Sequence, residues 1–378
     1  MKKLLIVTTV PSTLRYILSG QPKFLSRFFD VATVSTPGAD LENVADIEGV
    51  KTYGIAMARG IAPLSDLISL LKMIWLFVRI RPDIVHSYTP KAGLICALAG
   101  IFTRVPVRIH TFTGLIFPTA TGLKKRILSF LDKLVCRLNT IVVAEGEGVK
   151  NQLQTITNEK IEIVGYGNIA GIDLNHFDPE RFVVGQTVAE FKSSLGINRS
   201  FVFCFIGRLN KDKGVAELVS AFIELSQHYD VELLLLGEIE KINPLSRETL
   251  DLIERHPCIH YLGFLEDIRV PLLCCDVFVL PSYREGFPNS VIQACAMLKP
   301  CLVTDVPGSN EIIIPDVNGW VVPAKSSSEL LNAMTRIVNT PSQRIKEMGG
   351  AARDNVGAKF ERHAYLEKLV EFYQEHTK

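Results

Sequence analysis

"FCFIGRLNKDKGVAELVSAF" (residues 203–222) compresses a buried strand, a basic turn and an amphipathic helix into twenty residues. The apolar run stops at Gly207, presents Arg208 and Lys213, and resumes at Val215 with apolar residues at helical spacing. Near-continuous hydrophobicity over five or six residues indicates a strand covered on both faces, hence parallel sheet under helices. The same alternation runs along the whole chain. The first half carries "LLIVTT" from Leu4, "VATVS" from Val31, "DIVHSY" from Asp83, "VRIHTF" from Val107, "TIVVA" from Thr140 and "IEIVG" from Ile161. The second half carries "FVFCFIG" from Phe201, "VELLLLG" from Val231, "IHYLGF" from Ile259, "VFVLPS" from Val277, "CLVTD" from Cys301 and "GWVVP" from Gly319. Two successive sets predict an α/β protein of two Rossmann-like domains, 1–175 and 176–359. The seam falls near "GIDLNHFDPERF" (171–182), which is polar, contains Pro179 and lacks a helical period. A last helix, 360–378, carries apolar residues at helical spacing; either domain could receive it, the N-terminal one being the candidate.

Composition agrees. A chain of 378 residues is too long for one ordinary core. An apolar fraction of 47% with mean hydropathy +0.22 suits a well-buried α/β protein. The longest apolar stretch, "LISLLKMIWLFVRIR" from Leu67, is broken by Lys72, Arg79 and Arg81 and is too short to span a membrane. The opening "MKKLLIVTTVPSTLR" leads into Pro11 with no small-residue cleavage site, so it reads as a first buried strand. Eight cysteines without a C-x-x-C pair read as small hydrophobes in a reducing, cytosolic compartment. The net charge of +1 hides an asymmetry, because residues 51–144 hold 13 basic and 3 acidic side chains. That excess fits either an ordinary basic domain face or attraction to anionic lipid or a pyrophosphate-bearing acceptor.

Ligands of open parallel sheets bind outside the carboxyl ends of the strands, so chemistry is expected in a cleft where two sets of strand ends face each other. "GYGNIA" (165–170) formally matches a dinucleotide fingerprint, but no helical pattern follows to offer amide ends to a pyrophosphate. It reads as a turn. In "IGRLNKDKG", Gly207 ends the strand, Arg208 offers a planar fork to phosphate and Lys213 a mobile charge. The helix from Val215 adds partial positive charge at its N-terminus. Seventy residues on, "PSYREGFPNSVIQACAMLKP" (281–300) places Glu285 before Gly286, with Asn289 or Ser290 as the expected cap of the next helix. A carboxylate beside open amides suits sugar hydroxyls. Alone, each motif could be a solvated turn or a helix cap; together they suit a ligand both anionic and hydroxylated, such as a nucleotide sugar.

G-R-L-x-x-x-K-G, then S-x-x-E-G-F-P-N, then "GSNEII" and "NGWVV", resembles the retaining glycosyltransferases of family 4, which have the GT-B fold. "RPDIVHSYTPKAGLICALAG" and "PVRIHTFTGL" in the first half are similar to the bacterial branch that builds capsule and O-antigen repeat units on lipid carriers. The resemblance implies two doubly wound domains facing across a cleft and transfer of a hexose or N-acetylhexosamine from a nucleotide sugar, UDP-linked in the expectation. The acceptor it implies is a polyprenyl-diphosphate-linked sugar. It gives Arg208 and Lys213, with Gly207, the donor diphosphate, and Glu285 the donor sugar hydroxyls. The backbone of Gly286, Phe287, Pro288 and Asn289 approaches sugar and phosphate, and Gly263, Phe264 and Leu265 hold the base. His110 matches the family's histidine beside the donor sugar; without the resemblance it reads as a structural histidine at a strand end. The family's second glutamate, which grips the ribose, is here Gln293, so charge assistance is lost at that contact. The Gly pair usual in the family's N-terminal loop is replaced by "PSTLRYILSG".

Such enzymes show no obvious protein nucleophile, and a front-face displacement is the usual proposal, with the cations neutralising the departing diphosphate. No D-x-D triplet occurs in the chain, so no metal or other cofactor is expected. Lys124, Lys125 and Arg126, at the start of "GLKKRILSFLDKLVCRL", together with Lys91 and the segment from Leu67, are expected to meet the acceptor and an anionic inner leaflet. Nucleic acid is not an expected partner. Two rivals remain at this stage, a UDP-sugar 2-epimerase of the same fold and a non-catalytic sugar-nucleotide-binding subunit.

Overall fold

The computed structural model describes residues 1–58, 60, 62–181, 184–198, 201–241 and 243–377. Arg59, counted in the basic segment, and Phe182, at the end of the expected seam, lie outside them. The chain divides into two compact units, Met1–Gly171 with Arg362–Lys378, and Ile172–Glu361.

The first unit is built on a seven-stranded sheet: β1 (Lys3–Val7), β2 (Asp30–Ser35), β3 (Lys51–Gly54), β4 (Ile84–Ser87), β5 (Val107–Phe112), β6 (Ile141–Ala144) and β7 (Ile161–Glu162). All are parallel, in the order β3-β2-β1-β4-β5-β6-β7. Six of these are the apolar runs of the first half. The seventh, β3, is "KTYG" at the sheet edge, exposed or half-buried throughout. Its pairing with β2 defines it, and a short polar edge strand carries no apolar run to read. "GYGNIA" is a turn: Gly165 and Gly167 have φ of 63° and 91°, and the Asn168 carboxamide oxygen accepts from the amides of Ala170 and Gly171 at 2.8 and 2.7 Å.

The last helix is Arg362–Glu375, separate from a preceding 19-residue helix, Ser342–Phe360. Its Tyr365, Leu366, Leu369, Val370, Phe372 and Tyr373 are buried among Leu14, Leu18, Leu25 and Phe29 of the first unit. The Tyr373 hydroxyl lies 2.6 Å from Nδ1 of His86 on β4, so a polar contact accompanies the apolar packing.

The second unit is built on β8 (Phe201–Ile206), β9 (Val231–Leu236), β10 (Ile259–Gly263), β11 (Val277–Leu280), β12 (Cys301–Thr304) and β13 (Gly319–Val322). These six runs are all parallel, in the order β10-β9-β8-β11-β12-β13. The chain winds outward from β8 to β10, then returns to place β11 on the other side of β8. That reversal makes the β8 and β11 strand ends the topological switch point, where a crevice opens. The helix Val215–Ser226 buries Val215, Leu218, Val219, Ala221, Phe222 and Leu225 on one face. All eight cysteines are buried, and none forms a disulfide among the described residues. Among the described residues no helix is long and apolar enough to cross a membrane.

Candidate active site

The two motifs of the second unit follow β8 and β11, and strand order brings them together. The Tyr283 amide donates to the Asp212 carbonyl at 2.8 Å, and the Arg284 guanidinium donates to Asp212 Oδ2 through Nε at 3.0 Å and Nη2 at 2.6 Å. The Tyr283 hydroxyl donates to Glu217 on the following helix. Across this junction Lys213 Nζ donates to Glu285 Oε1 at 2.6 Å, with the two side chains only 18% and 10% exposed. Cation and carboxylate, assigned separately from the sequence, form one ion pair.

Arg208 stands further out, its side chain 61% exposed, with Nη1 donating to Glu240 Oε1 at 2.7 Å. Asn210 is buried and caps the turn Lys211–Lys213, its Oδ1 accepting from the Lys213 amide at 3.1 Å. Gly214 then turns the chain into the helix at φ 66°, ψ 25°. A Cβ there would lie 2.0 Å from the Pro281 carbonyl oxygen, so only glycine lets the two loops approach this closely.

The helix after Glu285 is Asn289–Ala296, and the residue at its cap position is Pro288. The expected cap by Asn289 or Ser290 is therefore not formed, because both lie inside the helix and proline has no side-chain acceptor. Among the described residues, the amides of Gly286, Phe287 and Ser290 donate to no other group of the protein. Three donors uncommitted among the described residues near a helix start give partial positive charge suited to an anion or a sugar oxygen. The Phe287 side chain is buried edge-on against Phe360, ring centroids 5.1 Å apart, so Phe287 offers only its backbone. Pro288 is likewise buried. Gln293 is half-buried one turn into the same helix. Beside β9 and β10, the Gly207 amide donates to Leu236 and the Gly263 carbonyl accepts from Gly237 at 2.7 Å, which commits that carbonyl. Phe264 is exposed and Leu265 half-buried.

The remaining candidates lie in the first unit. His110, on β5, is fully buried, with Nδ1 2.9 Å from Ser87 Oγ. The helix Pro90–Phe102 passes so close that a Cβ at Gly93 would lie 2.5 Å from the His110 ring. Burial lowers the His110 pKa to about 3, so the ring is neutral at physiological pH, and its Nε2 has no partner among the described residues. Lys124, Lys125 and Arg126 are exposed in the first turn of the helix Gly122–Leu138. Lys91 differs from them: its side chain is only 16% exposed and its ammonium donates to Asp66 Oδ1 at 2.6 Å. It ties two helices together rather than presenting a free charge.

On the basic helix, Asp132 points inward, and burial pushes its carboxyl up to about 7. The unfolded carboxyl titrates near 3.8, so the folded state bears a cost that is full above about pH 7 and vanishes below pH 4. Asp132→Asn is expected to stabilise the protein at pH 8 by up to about 4 kcal/mol and to change little at pH 4, read from urea midpoints. An equal effect at both pH values would refute the assignment.

Sequence reasoning passed over Glu240, Asn210, Asp212 and Arg284. Their signal was weak because polar residues in loops ordinarily face water; strand order, not spacing, brings them to the pair. Among the described residues no cluster of three or more His, Cys, Asp or Glu side chains is placed to hold a metal ion.

Comparison with known proteins decides the family. "Glycosyl transferases group 1" matches residues 200–340, and "Glycosyl transferase 4-like domain" matches residues 23–167. The capsular polysaccharide biosynthesis glycosyltransferase CapM of Staphylococcus aureus is 32% identical over 94% of this chain and 93% of its own length. The chain belongs to the group 1 glycosyltransferases. This glycosyltransferase is also 25% identical, over 91% of its length and 89% of the relative's, to the Escherichia coli UDP-Gal:alpha-D-GlcNAc-diphosphoundecaprenol alpha-1,3-galactosyltransferase. Its fold matches that of Anabaena HepE, crystallised with UDP and glucose, at a TM-score of 0.82 and 18% identity over 99% of this chain and 100% of that one. The two-sheet GT-B architecture expected from the sequence is the one observed.

Proposed function

We propose that this glycosyltransferase moves a hexose or N-acetylhexosamine from a UDP-sugar, with retention, to a polyprenyl-diphosphate-linked sugar during capsule or O-antigen repeat-unit assembly. The observation that carries the reading is the Lys213–Glu285 pair at the switch point of the second sheet, flanked by Arg208 and by the amides of Gly286, Phe287 and Ser290, which donate to no other group among the described residues. Cations and amides suit a diphosphate, and a carboxylate suits sugar hydroxyls. The relatives' names support the acceptor class, since the second acts on a sugar linked to diphosphoundecaprenol. In this reading the negative charge that grows on the departing diphosphate is met by donors already in place. Turnover is expected to persist in EDTA.

The deciding experiment incubates purified protein with labelled UDP- and GDP-sugars and membranes. Label transferred to lipid supports the proposal. Free epimerised sugar formed without acceptor would indicate the epimerase chemistry instead, and binding without transfer a non-catalytic subunit. Gln293 gives a second test. A Gln carbonyl accepts a ribose hydroxyl but without charge assistance, so Gln293→Glu is expected to tighten UDP binding about tenfold in calorimetry. Equal or weaker binding by the variant counts against a ribose contact there.

We further infer that the enzyme works as a peripheral protein on the inner face of the cytoplasmic membrane. The helix Pro63–Ile80 exposes Leu64, Leu67, Leu71, Trp75 and Val78, with Lys72 and Arg79 as the charges among them. Its one acidic residue, Asp66, is paired with Lys91. An apolar stripe edged only by cations suits an anionic leaflet. Binding to anionic vesicles is expected to fall as salt rises, and Trp75→Glu with Leu71→Glu to weaken it at least about tenfold. Sedimentation that ignored both salt and these substitutions would remove the membrane part.

A further inference from the structure

The loops after β8 and β9 are stitched together in an order that converges on one carboxylate. The Leu209 amide donates to the Glu238 carbonyl at 2.8 Å, and the Glu240 amide donates to the Leu209 carbonyl at 3.2 Å. These bonds fix the Glu240 backbone beside Arg208. Its side chain, 15% exposed, accepts from Arg208 Nη1 through Oε1 and from Asn210 Nδ2 through Oε2. Asn210 passes the connection on, because its Oδ1 holds the Lys213 amide. A continuous chain of hydrogen bonds therefore runs from the Arg208 guanidinium, through Glu240 and Asn210, to the backbone of Lys213.

We propose that Glu240, itself held by Asn210, is a positioning residue that sets the Arg208 guanidinium relative to Lys213 for the donor diphosphate. The inference rests on the donor reading above. Arginine has five N–H donors in a rigid fork; holding it by Nη1 leaves the Nε and Nη2 edge for two phosphate oxygens. Without the brace a long, 61% exposed side chain samples many rotamers, and ordering it on binding costs affinity. A carboxylate this close to a phosphate site also repels the ligand, and the two effects predict opposite outcomes for its removal. The backbone stitching and the buried Asn210 contact favour positioning, since a mere competitor for the guanidinium needs neither.

The test compares UDP with uridine, which lacks the phosphates, by calorimetry on the full chain. Glu240→Ala is expected to weaken UDP binding about tenfold and to leave uridine binding unchanged. In an Arg208→Ala background the same substitution is expected to add nothing, because the group it positions is gone. Rescue is also expected: Glu240→Gln keeps one acceptor oxygen for the guanidinium and falls between wild type and Ala. Unchanged or tighter UDP binding by Glu240→Ala, or a full additional loss on top of Arg208→Ala, overturns the inference. An equal loss for UDP and uridine overturns it too, since that marks a general disturbance of the loop. If Glu240→Ala does not fold, Glu240→Gln carries the same comparison, with and without Arg208→Ala. Failure of the unsubstituted protein to bind UDP removes the donor reading first, and the inference with it.

Discussion

Lys213→Ala is expected to lower kcat by about 10²–10³-fold at saturating donor while changing the KM for acceptor little. The ammonium sits 2.6 Å from a Glu285 carboxylate that is 10% exposed. In the proposed mechanism its removal takes a cation from the departing diphosphate, and it leaves an uncompensated carboxylate in the same place. Both changes raise the energy of a transition state in which negative charge is growing. Arg208→Ala is expected to act in the same direction with a smaller effect, because its guanidinium is largely solvated and screened. Steady-state kinetics at saturating donor check this, and turnover near wild type for Lys213→Ala would falsify the leaving-group account. Stability separates from chemistry in the double variant Lys213→Ala/Glu285→Gln. Removing the orphaned charge should restore the melting temperature but not kcat.

The second large effect is conformational. Gly214 and Gly49 have nearly the same backbone angles, φ 66° and ψ 25° against φ 66° and ψ 26°. Alanine at either position carries the same left-handed strain of about 1–2 kcal/mol. At Gly49 a Cβ meets nothing within 4 Å, whereas at Gly214 it meets the Pro281 carbonyl oxygen at 2.0 Å and its carbon at 2.9 Å. Main-chain atoms cannot swing aside as a side-chain end can. The helix from Val215 or the loop after β11 must move, which separates Lys213 from Glu285. Gly214→Ala is therefore expected to destabilise by about 4 kcal/mol or more and to weaken UDP binding strongly, against about 1–2 kcal/mol and intact binding for Gly49→Ala. Urea unfolding with calorimetry compares the two, and similar losses in both variants would show that the approach of the two loops carries no cost.

How far the sequence reached depended on the kind of residue. The β8 and β11 runs, their glycines and the basic and acidic motifs were legible because burial on both sheet faces demands continuous hydrophobicity. β3 was not, because an edge strand is held by backbone bonds that leave no trace in side-chain polarity. The cap at the helix after Glu285 was misread for a related reason. Asn289 and Ser290 have the chemistry of caps, but the turn through Phe287, anchored on Phe360, carries Pro288 into that position. Lys91 is expected from the sequence to meet the acceptor and the leaflet, and only packing shows it paired with Asp66.

By itself the sequence determined two parallel sheets, the strand ends that carry charge, and the types of group offered there. Local hydrophobic period and residue chemistry are written in neighbouring letters. The tertiary structure alone decided that Lys213 faces Glu285, that Arg208 leans on Glu240 and that the amides of Gly286, Phe287 and Ser290 stay uncommitted among the described residues. Those facts follow from strand order, which sets β11 beside β8 after the chain has wound away through β9 and β10. Such pairings join residues tens of positions apart, and no local pattern fixes which strands will be neighbours.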